Sequence, residues 1–405
     1  MTNQISAKWR RASLVTLVAG LSAMSVVPAI SAAHAVPAHN ASCPRAESLV
    51  PGTHWHVHKL APGVTLSEGS KEDRNGIVKM HVLRATVGTK GLSFGPLMKR
   101  VADRLPLSKL ASGHKHLVAA VNTGYFDFFS GAPTVPLIVN KVPLVISPKP
   151  APVVGINSLG RFQSGSVRMR AAVYAGKTKQ HVLNDVNEVQ MGPGLGVYTP
   201  AWGPTGTPSP WNKLVRPVVN GKIGVPIVVG GGQWRGASVP TGGYLLVAKG
   251  LKAKNWLRGI KNGTSIGVAA QTRTNAPHPF VQAYGVGVQL VAKPGVAITG
   301  FTCNSANTKQ PARTAIGFAD GGKKVVIAEV EDNTHTSLHG LDNDQMSKLM
   351  AQLGVSRAYD WDGSGSTEML ARMPKSSKLS LRTYPADDAE RPMPVGFGIF
   401  SKKRG

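Results

Sequence analysis

The chain has 405 residues, 42% of them hydrophobic, and a formal net charge of +27. This apolar fraction is high enough for a packed core and excludes an intrinsically disordered protein, and the length suits one large domain or two ordinary ones. The charge predicts attraction to polyanions, but no basic helix, zinc-ligand spacing or aromatic RNA-binding motif accompanies it, so specific nucleic-acid recognition is not favoured. The lysines and arginines are spread along the chain. Electrostatic contact with an anionic envelope, or simply solubility in acidic surroundings, would explain them.

The first 35 residues have the pattern of a secretory signal. Three basic residues before position 12 precede the apolar stretch 12–30, and residues 33–35 read Ala-His-Ala, the small-x-small pattern of a cleavage site. A membrane anchor is the alternative, but no second long apolar run follows. We therefore predict a signal peptide over 1–35, cleaved near Ala35, and a secreted or cell-wall-associated protein.

The chain has two cysteines, Cys43 and Cys303. In an exported protein an even cysteine count predicts a disulfide, here a single one. Near Cys43, the alternating His54, His56 and His58 would share one face of a strand, but no CxxC or HExxH spacing accompanies them. They favour adventitious metal binding over an evolved site, and whether the protein binds a metal stays open.

The predicted elements begin after residues 36–60, which are expected to be an N-terminal linker. Beyond it, strand-like alternation and short apolar runs bounded by turn residues recur. In chain order these patterns predict a strand at 76–86, a short helix at 107–113, a buried strand at 116–122 and a hairpin over 134–146 that turns at Asn140-Lys141. They then predict a strand-rich middle at 161–235 with a long loop at 199–211, followed by a strand at 242–250, a helix at 251–263 and a strand at 264–273.

The clearest helix signal is at 341–354. Four apolar residues starting at position 346 follow the i, i+3, i+4, i+7 spacing of one helix face. Asp342 and Gln345 form a capping-box pattern, and Gly354 suits the position just after the helix. A short apolar strand follows at 355–361. Since strands predominate and helices are few, we predict an α+β fold, a single strand-rich mixed domain over residues 61–400.

Three polar stretches could carry chemistry. The stretch "YDWDGSGSTEM" (359–369) places Asp360, Asp362 and Glu368 in a glycine-rich loop after a strand, where backbone freedom lets a carboxylate face a ligand, or simply forms a turn. "NTGYFDFF" (122–129) combines amide, carboxylate and aromatic groups that suit sugars, or pack as a turn. "ARTAIGF" (312–318) starts a strand with an arginine that could hold a phosphate or only solvate the strand end.

The order of these motifs along the chain resembles the phosphodiester glycosidase family. The resemblance rests on "VAAVNTGYFD", "LNDVN", "VYTPAWG", "RTAIGF", "GLDNDQMSKLMAQLG", "DWDGSGSTEML" and "RPMPVGFGIF", and it covers roughly residues 60–400. Many members of this family are exported bacterial proteins. The resemblance implies a hydrolase that cleaves the anomeric bond of a sugar linked through a phosphodiester. For an exported basic protein, we expect the substrate to belong to cell-wall or capsule glycopolymers.

The resemblance also assigns the site. The family's active-site stretches map onto Asn122, Tyr125, Phe126, Asp127, Arg313, Thr314, Asp362, Gly363, Ser364, Gly365 and Ser366. From the chemistry of the reaction, our hypothesis is that Arg313 holds the departing phosphate, that Asp362 is the base or nucleophile at the sugar, and that Asp127 orients the sugar or assists a water. Asp362 could instead bind backbone amides or a divalent cation. No cofactor is certain, and a divalent cation stays open.

The chain departs from the family pattern at several positions. Val286 and Ser364 replace glycines, Val395 replaces an asparagine, and Glu368 adds a charge that could be a replacement acid but is better explained as a solvated turn residue. Such changes fit altered specificity, and they also fit lost catalysis. The alternative function is therefore a catalytically impaired family member that binds anionic glycopolymer.

Overall fold

A computed structural model describes residues 53–73, 75–189, 191–203, 206–208, 213–227, 236–301, 310–333 and 335–403. The predicted signal peptide, the linker up to residue 52, and both cysteines lie outside these residues, so the disulfide and the cleavage site stay predictions. None of the helices in the described part is long and apolar enough to cross a membrane.

Strands make up most of the secondary structure, and the helices are short. The first half contains β1 (His54–Ala61), β2 (Val64–Asp73), β3 (Gly76–Thr86), β4 (Leu92–Leu97), α1 (Leu107–Ala111), β5 (Leu117–Asn122), β6 (Leu137–Val139), β7 (Val142–Val145), β8 (Ala151–Asn157), β9 (Phe162–Ala175), β10 (Lys179–Val186) and β11 (Gly194–Tyr198). The second half contains β12 (Lys213–Val219), β13 (Lys222–Ile223), β14 (Gly243–Lys249), α2 (Leu251–Arg258), β15 (Ile266–Thr274), β16 (Phe280–Gly285), β17 (Gln289–Lys293), β18 (Val296–Ala297), β19 (Arg313–Ala319), β20 (Lys324–Val330), α3 (Asn343–Gln352), β21 (Arg357–Asp360), β22 (Met369–Ala371), β23 (Ser380–Leu381) and β24 (Gly396–Ser401). Short 3₁₀ turns lie at Asp320–Gly322 and Ser364–Ser366.

The described strands form three sheets. An eight-stranded sheet has the order β1-β2-β3-β20-β19-β21-β17-β18. An eleven-stranded sheet has the order β13-β12-β14-β11-β10-β9-β8-β16-β6-β7, with β15 added on β9, and a five-stranded sheet has the order β23-β22-β5-β24-β4. Neighbouring strands are antiparallel apart from the parallel pair β10 and β11. The fold is therefore better described as mostly β than as α+β.

The three sheets meet at a cluster of aromatic rings around Phe397 of β24. Its ring centroid lies 6.0 Å from Phe94 in its own sheet, 6.2 Å from Phe162 and 5.5 Å from Tyr284 in the eleven-stranded sheet, and 5.8 Å from Trp361, which follows β21 of the eight-stranded sheet. Edge-to-face and offset pairs add about 0.5–1.5 kcal/mol each beyond their buried area. Trp361 is 1% exposed and lies between Asp360 and Asp362 in the chain, so the core fixes the backbone that carries both carboxylates.

Several predicted elements are confirmed. β3 covers 76–86 as expected, and β5 covers all but the first residue of 116–122. The predicted hairpin turns at Asn140 and Lys141, whose φ angles of 51° and 66° fit the primed turns that match strand twist. α3 has both hydrogen bonds of the capping box between Asp342 and Gln345.

One boundary differs from the prediction. β1 pairs with β2 along its whole length and begins at His54, so residues 54–60 of the expected linker are strand. The alternation of histidines over 54–58 is explained by this pairing, since alternate residues of a strand share a face. His58 also lies 3.3 Å from the carboxylate of Glu68 on β2.

Candidate active site

The predicted site residues lie where the eight-stranded and five-stranded sheets meet. β21 pairs with residues 315–318 of β19, with Asp360 opposite Ala315, and after Asp360 the chain crosses to β22 in the other sheet. The crossing is fixed by backbone hydrogen bonds: the Trp361 N–H donates to Thr314 O and the Asp362 N–H donates to Thr123 O, each at 2.9 Å. The loop 361–368 is therefore anchored to strand ends of both sheets.

Asn122 and Thr314 hold this loop from the inside. The Asn122 amide Nδ2 donates to Asp362 O at 2.6 Å, and its Oδ1 accepts from Thr314 Oγ1 at 2.8 Å and from the Glu368 N–H at 3.4 Å. Asn122 is 1% exposed and Thr314 is fully buried. Both side chains thus position the loop by contacts within the protein.

Asp362 is half-buried at the start of the glycine loop. Its Oδ1 accepts from the Gly363 N–H at 3.1 Å, and its Oδ2 accepts from Ser366 Oγ at 2.7 Å. Burial raises the pKa of Asp362, against the hydrogen bond from Ser366 and the positive charge of Arg391. Since each carboxylate oxygen can accept two hydrogen bonds, both oxygens keep capacity for a ligand.

Asp360 is a second carboxylate beside the first. It is 5% exposed, and its Oδ2 accepts a hydrogen bond from the Tyr125 hydroxyl at 2.7 Å. Its Oδ1 is buried without a hydrogen-bond partner among the described residues. Burial raises the pKa of Asp360 to about 6, although the Tyr125 hydrogen bond and the Arg313 charge act in the opposite direction. Burial raises the pKa of Tyr125, and the negative charges of Asp360 and Asp362 act in the same direction.

Arg313 faces the same group of side chains. Its Nε donates to Leu341 O at 2.8 Å, while its Nη2 is buried with no hydrogen-bond partner in the described part of the chain. Burial lowers the pKa of Arg313, and the charges of Asp360, Tyr125 and Asp342 oppose that shift. An unused guanidinium donor therefore lies within the electrostatic influence of Asp360 and Asp342.

Gly287 closes one side of this group. A Cβ there would lie 2.5 Å from Asp360 Oδ1 and 2.8 Å from the Tyr125 hydroxyl, so any side chain would displace them. Val286, where the family pattern has glycine, is 3% exposed and packs in the core shared by the three sheets. Its extra bulk therefore points away from Asp360 and does not narrow the site.

The glycine loop is tightly packed except at one residue. A Cβ at Gly363 would lie 2.7 Å from Ala312 O, and one at Gly365 would overlap the Asp387 carboxylate and the Arg391 guanidinium. Ser364, the other departure from the family's glycines, is exposed and has a φ of 54°, a left-handed conformation that costs a side-chain-bearing residue about 1–2 kcal/mol.

Asp127 and Phe126 lie in a separate loop after β5. The Asp127 Oδ1 accepts from the backbone N–H groups of Phe129 (3.1 Å) and Ser130 (2.6 Å), which closes that loop. Phe126 is buried, and its ring centroid lies 5.1 Å from that of the exposed Phe128. No described hydrogen bond joins Asp127 to the carboxylates at the end of β21.

Arg391 was not among the predicted site residues, although it begins the motif at 391–400. Its guanidinium pairs with Asp387 at 2.5 Å, donates to Ser366 Oγ at 3.3 Å, and lies 5.2 Å from the centre of the Phe128 ring. Its backbone N–H donates to the Glu368 carboxylate at 2.5 Å. Arg391 therefore joins the glycine loop to the aromatic loop.

Glu368 is not the solvated turn residue that the sequence suggested. It is fully buried, and its Oε2 has no hydrogen-bond partner among the described residues. Burial raises its pKa to about 8. The neighbouring Glu329 is also fully buried, and burial together with the charges of Glu368 and Glu331 raises its pKa. Within the described ranges, no three His, Cys, Asp or Glu side chains are placed to hold a metal ion.

Two solved structures share the fold. A hypothetical protein from Synechocystis is 21% identical, with a TM-score of 0.68 over 84% of this chain and 62% of that chain, so the present chain spans less than two thirds of it. A candidate exported protein from Burkholderia pseudomallei is 17% identical, with a TM-score of 0.61 over 80% of this chain and 74% of that chain. The catalytic domain of zebrafish N-acetylglucosamine-1-phosphodiester alpha-N-acetylglucosaminidase, auto-inhibited by its pro-peptide, is 16% identical, with a TM-score of 0.45 over 88% and 87%.

Sequence comparison gives a family match over part of the chain. No curated protein matches the chain significantly. The model of the phosphodiester glycosidase family matches residues 217–400, which include Arg313, Asp360 and Asp362. The resemblance to the phosphodiester glycosidase family that the motifs predicted is confirmed over residues 217–400, somewhat less than half of the chain.

Proposed function

We propose that the protein is an exported hydrolase that cleaves the anomeric bond of sugar-phosphate diesters in cell-wall or capsule glycopolymers. The family match supports this class of reaction. The observation that carries the proposal is the convergence around Tyr125: its hydroxyl interacts with Asp360, Asp362 and Arg313, the pKa values of both carboxyls are raised, and Arg313 has a donor without a partner among the described residues.

In this proposal Arg313 binds the departing phosphate. Cleavage of the anomeric carbon–oxygen bond leaves its electron pair on a phosphate oxygen, and a phosphodiester leaves as a stable anion that needs little protonation. Its main requirement is a positioned cation. Arg313 Nη2 is desolvated and uncommitted, and a charge-assisted hydrogen bond is stronger in such a setting.

The two carboxylates have different roles. Asp362, the more accessible of the two, faces the anomeric carbon as base or nucleophile, and Gly363 and Ser366 orient it. Asp360 has a pKa of about 6, so it can take up and release a proton near neutral pH. The proton of the attacking water goes to this pair, and its oxygen bonds to the sugar. Asn122 and Thr314 position the loop.

Asp127 and Phe126 belong to the sugar side of the site in this proposal. Asp127 closes the loop that presents Phe128, and an exposed aromatic ring suits the apolar face of a sugar. Asp127 would thus orient the sugar through its loop. This role needs no contact with the carboxylates at Asp360 and Asp362.

A catalytically impaired binder of anionic glycopolymer is the second candidate. It is favoured by Ser364, whose side chain stands exposed in the glycine loop where the family has none. A side chain at that position could keep the sugar away from Asp362 while the positive field still attracts the polymer.

The test is release of free sugar from a panel of sugar-1-phosphodiesters by the purified protein, with and without divalent cations. We expect Asp362→Asn and Arg313→Gln to lower kcat/KM by about 10²-fold or more. The control is Asp320→Asn, which changes an exposed carboxylate at the other end of β19 and should leave turnover unchanged. Full activity of Asp362→Asn would refute the catalytic assignment. Polymer binding without turnover of any diester would establish the binder.

A further inference from the structure

The positive charge is concentrated on the eleven-stranded sheet. Between residues 137 and 285, which include all strands from β6 to β16, the sequence has seventeen lysines and arginines but only two acidic residues, Asp185 and Glu188. This stretch therefore accounts for +15 of the net charge of +27. Basic residues are spread along the whole chain, but here almost no acidic residue balances them.

Part of this sheet presents an exposed face. The second half of β9 lies between β10 and β15, and directly opposed residues of antiparallel strands share a face. We name this surface the arginine face. Its main outward side chains are Arg168, Arg170, Tyr174, Val182, Gln271 and Arg273.

The orientation of the arginine face is fixed by what lies beneath it. The intervening residues of β9, Met169 and Val173, are buried in a cluster that includes Leu183 of β10 and Leu257 of α2. A shift of one residue in register would expose these apolar side chains, so the strands are locked with the arginines outward. Outside, Val182 is 60% exposed and Tyr174 is 41% exposed.

The three arginines have no counter-charge among the described residues. Arg273 lies directly opposite Arg168, and Arg170 lies opposite Gln271. Like charges at directly opposed positions destabilise a sheet. Within the described part of the chain, none of the three side chains makes a hydrogen bond or an ion pair. The free protein thus keeps an unfavourable charge pair that a bound anion would neutralise.

We propose that the arginine face is a binding surface for an anionic glycopolymer, a linear chain of sugars joined by phosphodiesters. The planar guanidinium matches phosphate oxygens in a bidentate way, and arginines two residues apart on a strand are separated by about 7 Å. The Tyr174 ring and the Gln271 amide supply contacts for sugar rings and hydroxyls. A flat, three-stranded surface suits an extended chain. This inference rests on the proposed function for the identity of the polymer, and it adds that the enzyme holds a polymeric substrate away from the catalytic carboxylates.

The first test measures binding to a purified linear polymer of hexosamine-1-phosphate repeats, at about 50 mM salt where charge contacts are least screened. The variant replaces Arg168, Arg170 and Arg273 with glutamine. The control variant removes the same amount of positive charge from exposed positions outside this sheet. It carries Lys90→Gln, Lys115→Gln and Lys402→Gln. We expect the arginine variant to bind on the order of tenfold more weakly and the control set to bind within about twofold of the parent.

Stability and turnover provide independent readouts. Arg273→Gln alone should raise the Tm of the free protein, because it removes the opposed charge at Arg168. The polymer should raise the Tm of the parent protein but not that of the triple variant. Turnover of a small sugar-1-phosphodiester should be the same in both, since that substrate is too short to use the arginine face.

Each outcome tests one part of the proposal: the surface, the partner or the proposed function. Equal weakening by the arginine set and the lysine set would overturn the surface and leave only a diffuse effect of net charge. Binding to duplex DNA or to phosphatidylglycerol vesicles as tight as to the glycopolymer, with the same dependence on the arginines, would overturn the partner. Failure to hydrolyse any small diester would refute the proposed function, while the polymer-binding result would still decide the surface.

Discussion

Replacing Glu368 with glutamine should change how the stability of this protein depends on pH. Glu368 is fully buried just before β22, and only one of its two carboxylate oxygens has a hydrogen-bond partner, the Arg391 N–H, among the described residues. Burial raises its pKa from 4.5 to about 8. The folded protein therefore holds this proton more tightly than the unfolded chain does.

The sign and size of the effect follow from this shift. Below about pH 4.5 the carboxyl is protonated in both states and costs nothing; as pH rises from there to about 8, the unfolded chain loses the proton first and stability falls. A tenfold change in proton affinity is worth about 1.4 kcal/mol, so the loss has an upper value of about 5 kcal/mol. Glutamine does not titrate, but its NH₂ group takes the place of the unpartnered oxygen. A buried NH₂ without an acceptor costs about 1–3 kcal/mol of stability.

Urea unfolding of the parent and of Glu368→Gln between pH 5 and pH 9 would measure the difference in unfolding free energy. We expect the variant to be less stable at pH 5 and equal to or more stable than the parent at pH 9. The other buried groups titrate in both proteins, so they largely cancel in the difference. Glu72→Gln, at an exposed position of β2, is the matched control and should change stability by less than about 0.5 kcal/mol. A stability difference that stays constant across this pH range would refute the reasoning.

Three further predictions concern the site itself. Tyr125→Phe removes the hydrogen bond that lowers the pKa of Asp360, so the acidic limb of the pH profile of kcat/KM should move up by about 0.5–1 pH unit; an unchanged limb would show that Asp360 does not control it. Gly287→Ala places a Cβ 2.5 Å from Asp360 Oδ1 and should lower turnover on the order of tenfold while circular dichroism shows a folded protein. Ser364→Gly should relieve the left-handed backbone and raise the unfolding free energy by up to ~1 kcal/mol, whereas Ser364→Ala should not.

Elements with local signals could be predicted from the sequence. The hairpin at Asn140-Lys141 and the capped helix α3 are specified by neighbouring residues, and both are present. Sheet order could not be predicted in this way. β3 pairs with β20, whose residues are more than 230 positions away in the chain, and nothing local in either strand identifies the other.

The candidate site could also be predicted only where the signal is local in sequence. Arg313 and Asp362 were predicted from motifs, and the structure places both near Tyr125. The raised pKa of Asp360 could not be predicted from the sequence, because it results from burial in the folded chain, and the groups that partly offset it, Tyr125 and Arg313, lie far away in the chain. Glu368 was misinterpreted for the same reason: its burial follows from the entry of the chain into β22.

The candidate site and the arginine face share one physical property. Both contain charged groups whose placement lowers the stability of the fold. Among the described residues, Asp360 has a buried oxygen without a hydrogen-bond partner, and Arg168 lies opposite Arg273 with no acidic side chain paired to either. Selection for stability alone would replace such residues, because a strained functional site commonly lowers the stability of a protein. The aromatic cluster around Phe397 stabilises the fold against the cost of the buried charge. It also fixes Trp361, which lies between the two aspartates in the chain. A core substitution such as Phe397→Leu should therefore lower turnover by more than its effect on the folded fraction explains, because Asp360 and Asp362 would lose their fixed separation.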